Sequence, residues 1–151
     1  MKKQESGRSM VEMLGVLAII GVLSVGGIAG YMLSMNRFRA NDLIDKASKF
    51  ATLAYSTNQS RLARGEAAIT SATYTWADAK VGALSTDESI ALNATPFTDV
   101  AATGTNSAYV EVKVDVKFSS VGACEAAVSS LGLTGTTCEA GKAITLTFKQ
   151  S

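Results

Sequence analysis

Hydrophobic and polar positions change pattern five times along the chain. From Met10 to Leu33 the run MVEMLGVLAIIGVLSVGGIAGYML carries one charge, Glu12, and no proline. About 20 apolar residues cross ~30 Å of hydrocarbon as a helix, so this run is long enough to span a bilayer. Beyond it the apolar positions narrow to a stripe. Leu43, Ala47, Phe50 and Ala54 follow i, i+4, i+7, i+11 spacing, widened by Ile44 and Ala51. Asp42 with Lys46 and Asp45 with Lys49 add i,i+4 pairs in the favourable acid-first order. The spacing predicts one helix from about Met10 to about Leu62, a rod on the order of 80 Å at 1.5 Å per residue. Its first half has no apolar partner in the rest of the sequence, which implies packing on other surfaces.

Gly65 closes the amphipathic pattern. Residues 66–107 are rich in Ala, Thr, Ser, Asn and Asp, hold the single proline, Pro96, and read as a connecting segment whose strand count and order stay open. Within it Ser85-Thr86-Asp87-Glu88 has capping-box spacing ahead of Ile90 and Leu92, which predicts a short helix. Trp76 with Tyr74 is expected to pin the segment onto a core, a ligand-binding aromatic being the alternative. From Tyr109 the period becomes two. Val110, Val112, Val114, Val116 and Phe118 face one way and Tyr109, Glu111, Lys113, Asp115 and Lys117 the other, the mark of a strand with one buried face. Val121, Cys124, Val128 and Leu131 return to helical spacing and stop at Gly132, a C-terminal cap. Ile144, Leu146 and Phe148 alternate with Thr145, Thr147 and Lys149 in a closing strand. The expected fold is α+β: a long N-terminal α-helix packed against a C-terminal antiparallel β-sheet, with a short disulfide-tied helix near the C-terminus.

Composition narrows the chemistry. The 151 residues contain no histidine, which removes Ser-His-Asp and Cys-His catalysis, imidazole acid–base work and histidine-ligated metals. Fourteen basic against thirteen acidic side chains give +1, a balance that argues against a dedicated nucleic-acid binder. Asp78, Asp87, Glu88, Asp99 and Asp115 lack metal-loop spacing. Arg37, Arg39, Lys46, Lys49, Arg61 and Arg64 are read as a solvated helix face, with DNA or anionic lipid headgroups as the alternative. The two cysteines are too few for a zinc site without histidine, so one disulfide is their expected use, outside the reducing cytosol. Lys2, Lys3 and Arg8 precede the apolar run and place the N-terminus inside and the remainder outside. The run is longer than a secretory signal core and lacks a clear cleavage site at its end. A plain anchor leaves Glu12 unexplained, because an acid at mid-bilayer costs about 2.5–3.5 kcal/mol.

The stretch from Gly7 to Ser24, GRSMVEMLGVLAIIGVLS, resembles the N-terminus of a type IV prepilin, the class III signal shared by type IV pilins and type II secretion pseudopilins. The resemblance covers residues 1 to about 35. It combines a short basic leader ending in Gly7, an apolar stretch beginning almost at once, a lone glutamate five positions after the glycine, and a downstream Ile-Ile-Gly-Val-Leu run. It implies removal of residues 1–7 by a prepilin peptidase, with Arg8 as the new, N-methylated terminus. It implies a homo-oligomeric helical filament in which Glu12 meets a neighbouring subunit's terminal amine, each charge offsetting the other in an apolar bundle. The bland alternative is a Glu12 that stays at the cytoplasmic interface. Arg8 stands where the family usually has phenylalanine or methionine, and Ala29 where many pilins have proline. Gly21, Gly26, Gly27 and Gly30 lie near that place. The expectation is a helix that loosens between about Gly21 and Gly30 on packing, with close contact through Gly26-x-x-x-Gly30 as the alternative. Cys124 and Cys138 resemble the family's C-terminal disulfide loop, and closing ~15 residues contributes about 3 kcal/mol in the chain-entropy model.

The chain is thus expected to divide into a leader (1–7), a membrane and polymerisation helix (8–35), its amphipathic continuation (36–64), a connecting αβ-type loop (65–108) and a sheet with a disulfide-bounded region (109–151). The resemblance implies a non-enzymatic major pilin with no metal and no cofactor, residing in the inner membrane as precursor and then in an extracellular fimbrium for adhesion, motility or aggregation. Its partners would be the peptidase, an assembly machinery with an ATPase, and the bilayer before assembly; any host-surface or DNA ligand stays open. Minor pilin or pseudopilin of a secretion or DNA-uptake machine is the alternative within the family, and a membrane-anchored periplasmic binding protein or enzyme the alternative outside it. Loss of Lys2, Lys3 and Glu5 with the leader leaves twelve basic and twelve acidic side chains.

Overall fold

The structure, a computed structural model, describes the backbone from Glu5 to Ser151 and the side chains from Met10 onward. It forms two compact units, Met1–Met35 and Asn36–Ser151. Helix α1, Glu5–Ala63, supplies all the described structure of the first unit and opens the second. Then follow α2 (Trp76–Ala79), β1 (Ser89–Val100), β2 (Tyr109–Lys117), α3 (Val121–Leu131) and β3 (Ala143–Gln150). The class is α+β, with the second unit's part of α1 packed on a three-stranded antiparallel sheet of order β1-β2-β3.

The amphipathic stripe forms as its spacing requires. Leu43, Ala47, Phe50, Ala51 and Ala54 are buried, joined by Ala40 and by Asn58 one turn beyond. Small residues dominate this stripe and let the sheet approach closely. Asn58 escapes the apolar count because it is polar, yet its Oδ1 accepts the Ile69 N–H at 2.9 Å, so the buried amide and backbone group satisfy each other. The helix ends where Gly65 adopts φ +75°, with Gly65 N–H donating to Leu62 O and Glu66 N–H to Arg61 O, the paired bonds of a Schellman cap.

β2 is the central strand and alternates as its sequence predicts, with Val112, Val114 and Val116 buried. Register places three apolar rungs across the inner face: Ile90–Val116–Ile144, Leu92–Val114–Leu146 and Phe97–Val112–Phe148. Fully burying side chains of this size contributes roughly 1.5–3 kcal/mol each.

Two expectations need correction or completion. Ser85-Thr86-Asp87-Glu88 does not open a helix: Glu88 Oε2 accepts the Ser85 N–H at 3.2 Å and Glu88 N–H donates to Ser85 O at 3.0 Å, but the bonds close a turn that enters β1. Ile90 and Leu92 are two apart, a strand period, and strand pairing with Val116 and Val114 outweighs the local capping signal. Within the segment left without strand count, β1 is irregular. From Leu92 to Phe97 it advances five residues while β2 advances from Val114 to Val112. This bulge holds the buried Pro96, restores inward phase at Phe97 and breaks the alternation that would reveal a strand.

Candidate functional site

The apolar run is the first unit's defining feature. Fifteen large side chains from Met10 to Leu33 are 53–74% exposed, and the most apolar window reaches mean hydropathy 2.2 with none of it buried. Large contiguous apolar exposure is typical of protein-interaction and membrane-interaction surfaces. This is one helix long and apolar enough to cross a membrane. Three of its side chains carry oxygen: Glu12, Ser24 and Tyr31. Ser24 Oγ donates to Ile20 O at 2.7 Å and so satisfies itself inside the helix. Glu12 is exposed, on the apolar surface where desolvation of a carboxylate is costly.

Lys2 and Lys3 of the leader lie outside the described residues. Gly7 and Arg8 fall in the first turns of α1, and the Arg8 side chain is also outside them. Gly21, Gly26, Gly27 and Gly30 sit in unbroken helix, and an added Cβ at any of them would meet nothing within 4 Å. Each costs roughly 0.8–1.0 kcal/mol against alanine in a helix interior, and no contact in this unit returns it.

Cys124 and Cys138 form a disulfide with Cα atoms 5.9 Å apart. It ties α3 to the approach of β3. Ser120 caps α3 by accepting the Ala123 N–H at 3.1 Å, and Gly132, at φ 64°, ends it. The buried face is Ala123, Cys124 and Ala127, while Val121 and Val128 are half-buried and Leu131 is 43% exposed. The predicted stripe is thus turned toward the smaller residues. Gly122 explains why: a Cβ there would lie 2.5 Å from Asn36 Nδ2, so α3 starts against the beginning of the second unit's helix.

Trp76 packs rather than presenting itself. Its ring centroid is 5.6 Å from that of Phe50, as is Tyr74's, and Nε1–H donates to Gly82 O at 2.9 Å. Asp115, on the sheet's outer face, accepts Asn93 Nδ2–H at 2.9 and 3.0 Å and Thr145 O–H at 2.6 Å, a link across all three strands that periodicity alone does not reveal. The Thr75 hydroxyl and N–H both donate to Asp78, at 2.7 and 2.8 Å, and hold its carboxyl below the usual range. Asp45, hydrogen-bonded to Lys49 at 2.7 Å, raises that amine above its ordinary value. Arg61 Nε stands 3.1 Å from Glu66 Oε2, an ion pair by distance without hydrogen-bond alignment. Among the described residues no group of three His, Cys, Asp or Glu is placed to hold a metal ion. A shallow opening of about 560 Å³ lies beside the disulfide, lined by residues from Glu125 to Cys138.

Compared with protein-family models, curated proteins and solved structures, the chain shows no match in any of the three. The architecture, a long apolar N-terminal helix followed by an antiparallel sheet and a disulfide, is compatible with a pilin-like fold.

Proposed function

We propose that this chain is a type IV pilin subunit, held in the inner membrane by the Met10–Leu33 segment and polymerised through it into a surface filament. The observation that carries the reading is an exposed apolar helix bearing a single carboxylate, Glu12, ahead of a domain with a buried core of its own. Polymerisation moves fifteen exposed apolar side chains into contact with copies of themselves. Pairing Glu12 with the amine of a neighbouring Arg8 offsets two costly desolvations and sets the subunit register. The unexplained helix glycines support the same reading, since close packing or local loosening in a bundle returns their intrinsic cost.

Mass spectrometry of sheared surface filaments tests the processing, with a mature terminus at Arg8 expected; any other terminus overturns it. Glu12→Ala is expected to leave the processed subunit in the membrane and to reduce filament yield at least about tenfold, as loss of one partner strands the other charge. Normal filament yield from that variant refutes the charge pairing.

A further inference from the structure

We infer that Arg37, Phe38 and Arg39 form a clamp for anionic lipid headgroups at the outer leaflet, holding the subunit before assembly; this rests on the membrane stage of the proposed function. Phe38 is 70% exposed at the start of a unit whose other phenylalanines lie in or against the core. Arg37 and Arg39 flank it, about 100° to either side on a helix of 3.6 residues per turn. Both arginines are exposed, and among the described residues neither has an ion-pair partner, unlike the cations that follow them on α1. Asp42, the first acid after them, is committed to Lys46 at 2.7 Å.

Position selects the occupant. Arg37 follows Leu33, the end of the apolar run, by four residues, which span at most about 14 Å even fully extended. Headgroup layers occupy the space between ~30 Å of hydrocarbon and a total of about 40–45 Å, within reach of a flexible arginine from any course of that chain. Two unpaired guanidiniums complement phosphate, and the ring between them can sink into the interface. Processing strengthens the effect: loss of Lys2 and Lys3 leaves Arg8 on the inner side against Arg37 and Arg39 on the outer. The clamp thus gains relative weight at the stage when the subunit awaits assembly.

The test uses the full chain in vesicles mixing phosphatidylcholine and phosphatidylglycerol at one fixed ratio, with bromine carried on one lipid or the other. Indoles introduced by Phe38→Trp or Leu23→Trp report quenching above the Trp76 background of the unaltered chain. Brominated phosphatidylglycerol is expected to quench the Phe38→Trp indole at least about twofold more than brominated phosphatidylcholine. Arg37→Gln with Arg39→Gln removes that difference and leaves quenching of the Leu23→Trp indole unchanged. Equal quenching at position 38 by both lipids, with position 23 quenched, overturns the clamp and leaves the membrane reading standing. So does shielding of position 38 from both lipids, which marks a protein-covered face, or a preference that survives loss of both arginines. Absence of quenching at position 23 overturns the membrane stage and the clamp together.

Discussion

The two parts of α1, residues 10–35 and 36–63, share one secondary structure and differ in what holds it. The second part buries a stripe of Ala40, Leu43, Ala47, Phe50, Ala51 and Ala54 to 1% exposure or less against its own sheet. The first leaves its large apolar residues exposed, Val22 to 74%. Backbone hydrogen bonds are common to both, so packing distinguishes them. Helices in proteins owe most of their stability to tertiary packing of an apolar face. The second part obtains this from its own domain; under the proposed function, the first obtains it from lipid or from another subunit.

The strongest test of the contrast is a matched pair of truncations in detergent-solubilised subunit. Phe50→Ala is expected to destabilise the domain by about 3–5 kcal/mol and Val22→Ala by under about 0.5 kcal/mol, measured by denaturant unfolding followed through Trp76 fluorescence. Comparable losses would erase the distinction between the two parts. Removing the Cys124–Cys138 link by double substitution to serine is expected to cost about 3 kcal/mol, with hydrogen exchange accelerating in residues 36–63 and not in 10–35. Asn58→Ala leaves the Ile69 N–H buried without its acceptor, a cost of about 1–3 kcal/mol that lowers the same unfolding midpoint.

The smallest expected effect is a pH dependence confined to the second unit. Asp78 is depressed by the donated Thr75 hydroxyl and N–H, so the folded state favours its ionised form. Its stabilising contribution is fully present above the unfolded-state value and disappears as pH falls through the lowered folded value. Thr75→Ala is expected to raise the Asp78 pKa in an NMR titration and flatten that acid dependence, with no change in the apolar run.

Local chemistry made much of this molecule legible in advance. The α1 stripe, the alternation of β2 and β3, the stop of α3 at Gly132 and the pairing of two lone cysteines all depend on residues a few positions apart, or on there being one possible partner. Glu12 stood out for the same reason, as the single charge in the apolar run. The basic residues on α1 were legible as a group, but their sequence did not separate the paired Lys46 and Lys49 from Arg37 and Arg39, which have no ion-pair partner among the described residues. That distinction needs distances.

What the sequence determined by itself was therefore where each segment is apolar and with what period, because side-chain direction follows from backbone geometry over one or two turns. The tertiary structure alone decided that residues 89–100 form a bulged edge strand, that Ser85 and Glu88 close a turn rather than a helix, that Asn58 serves Ile69, and that Gly122 lies close beside the Asn36 side chain. Each of those depends on a segment distant in sequence, the Ser85–Glu88 turn through the pairing of Ile90 and Leu92 with Val116 and Val114. Burial and hydrogen bonding across the assembled core select among them.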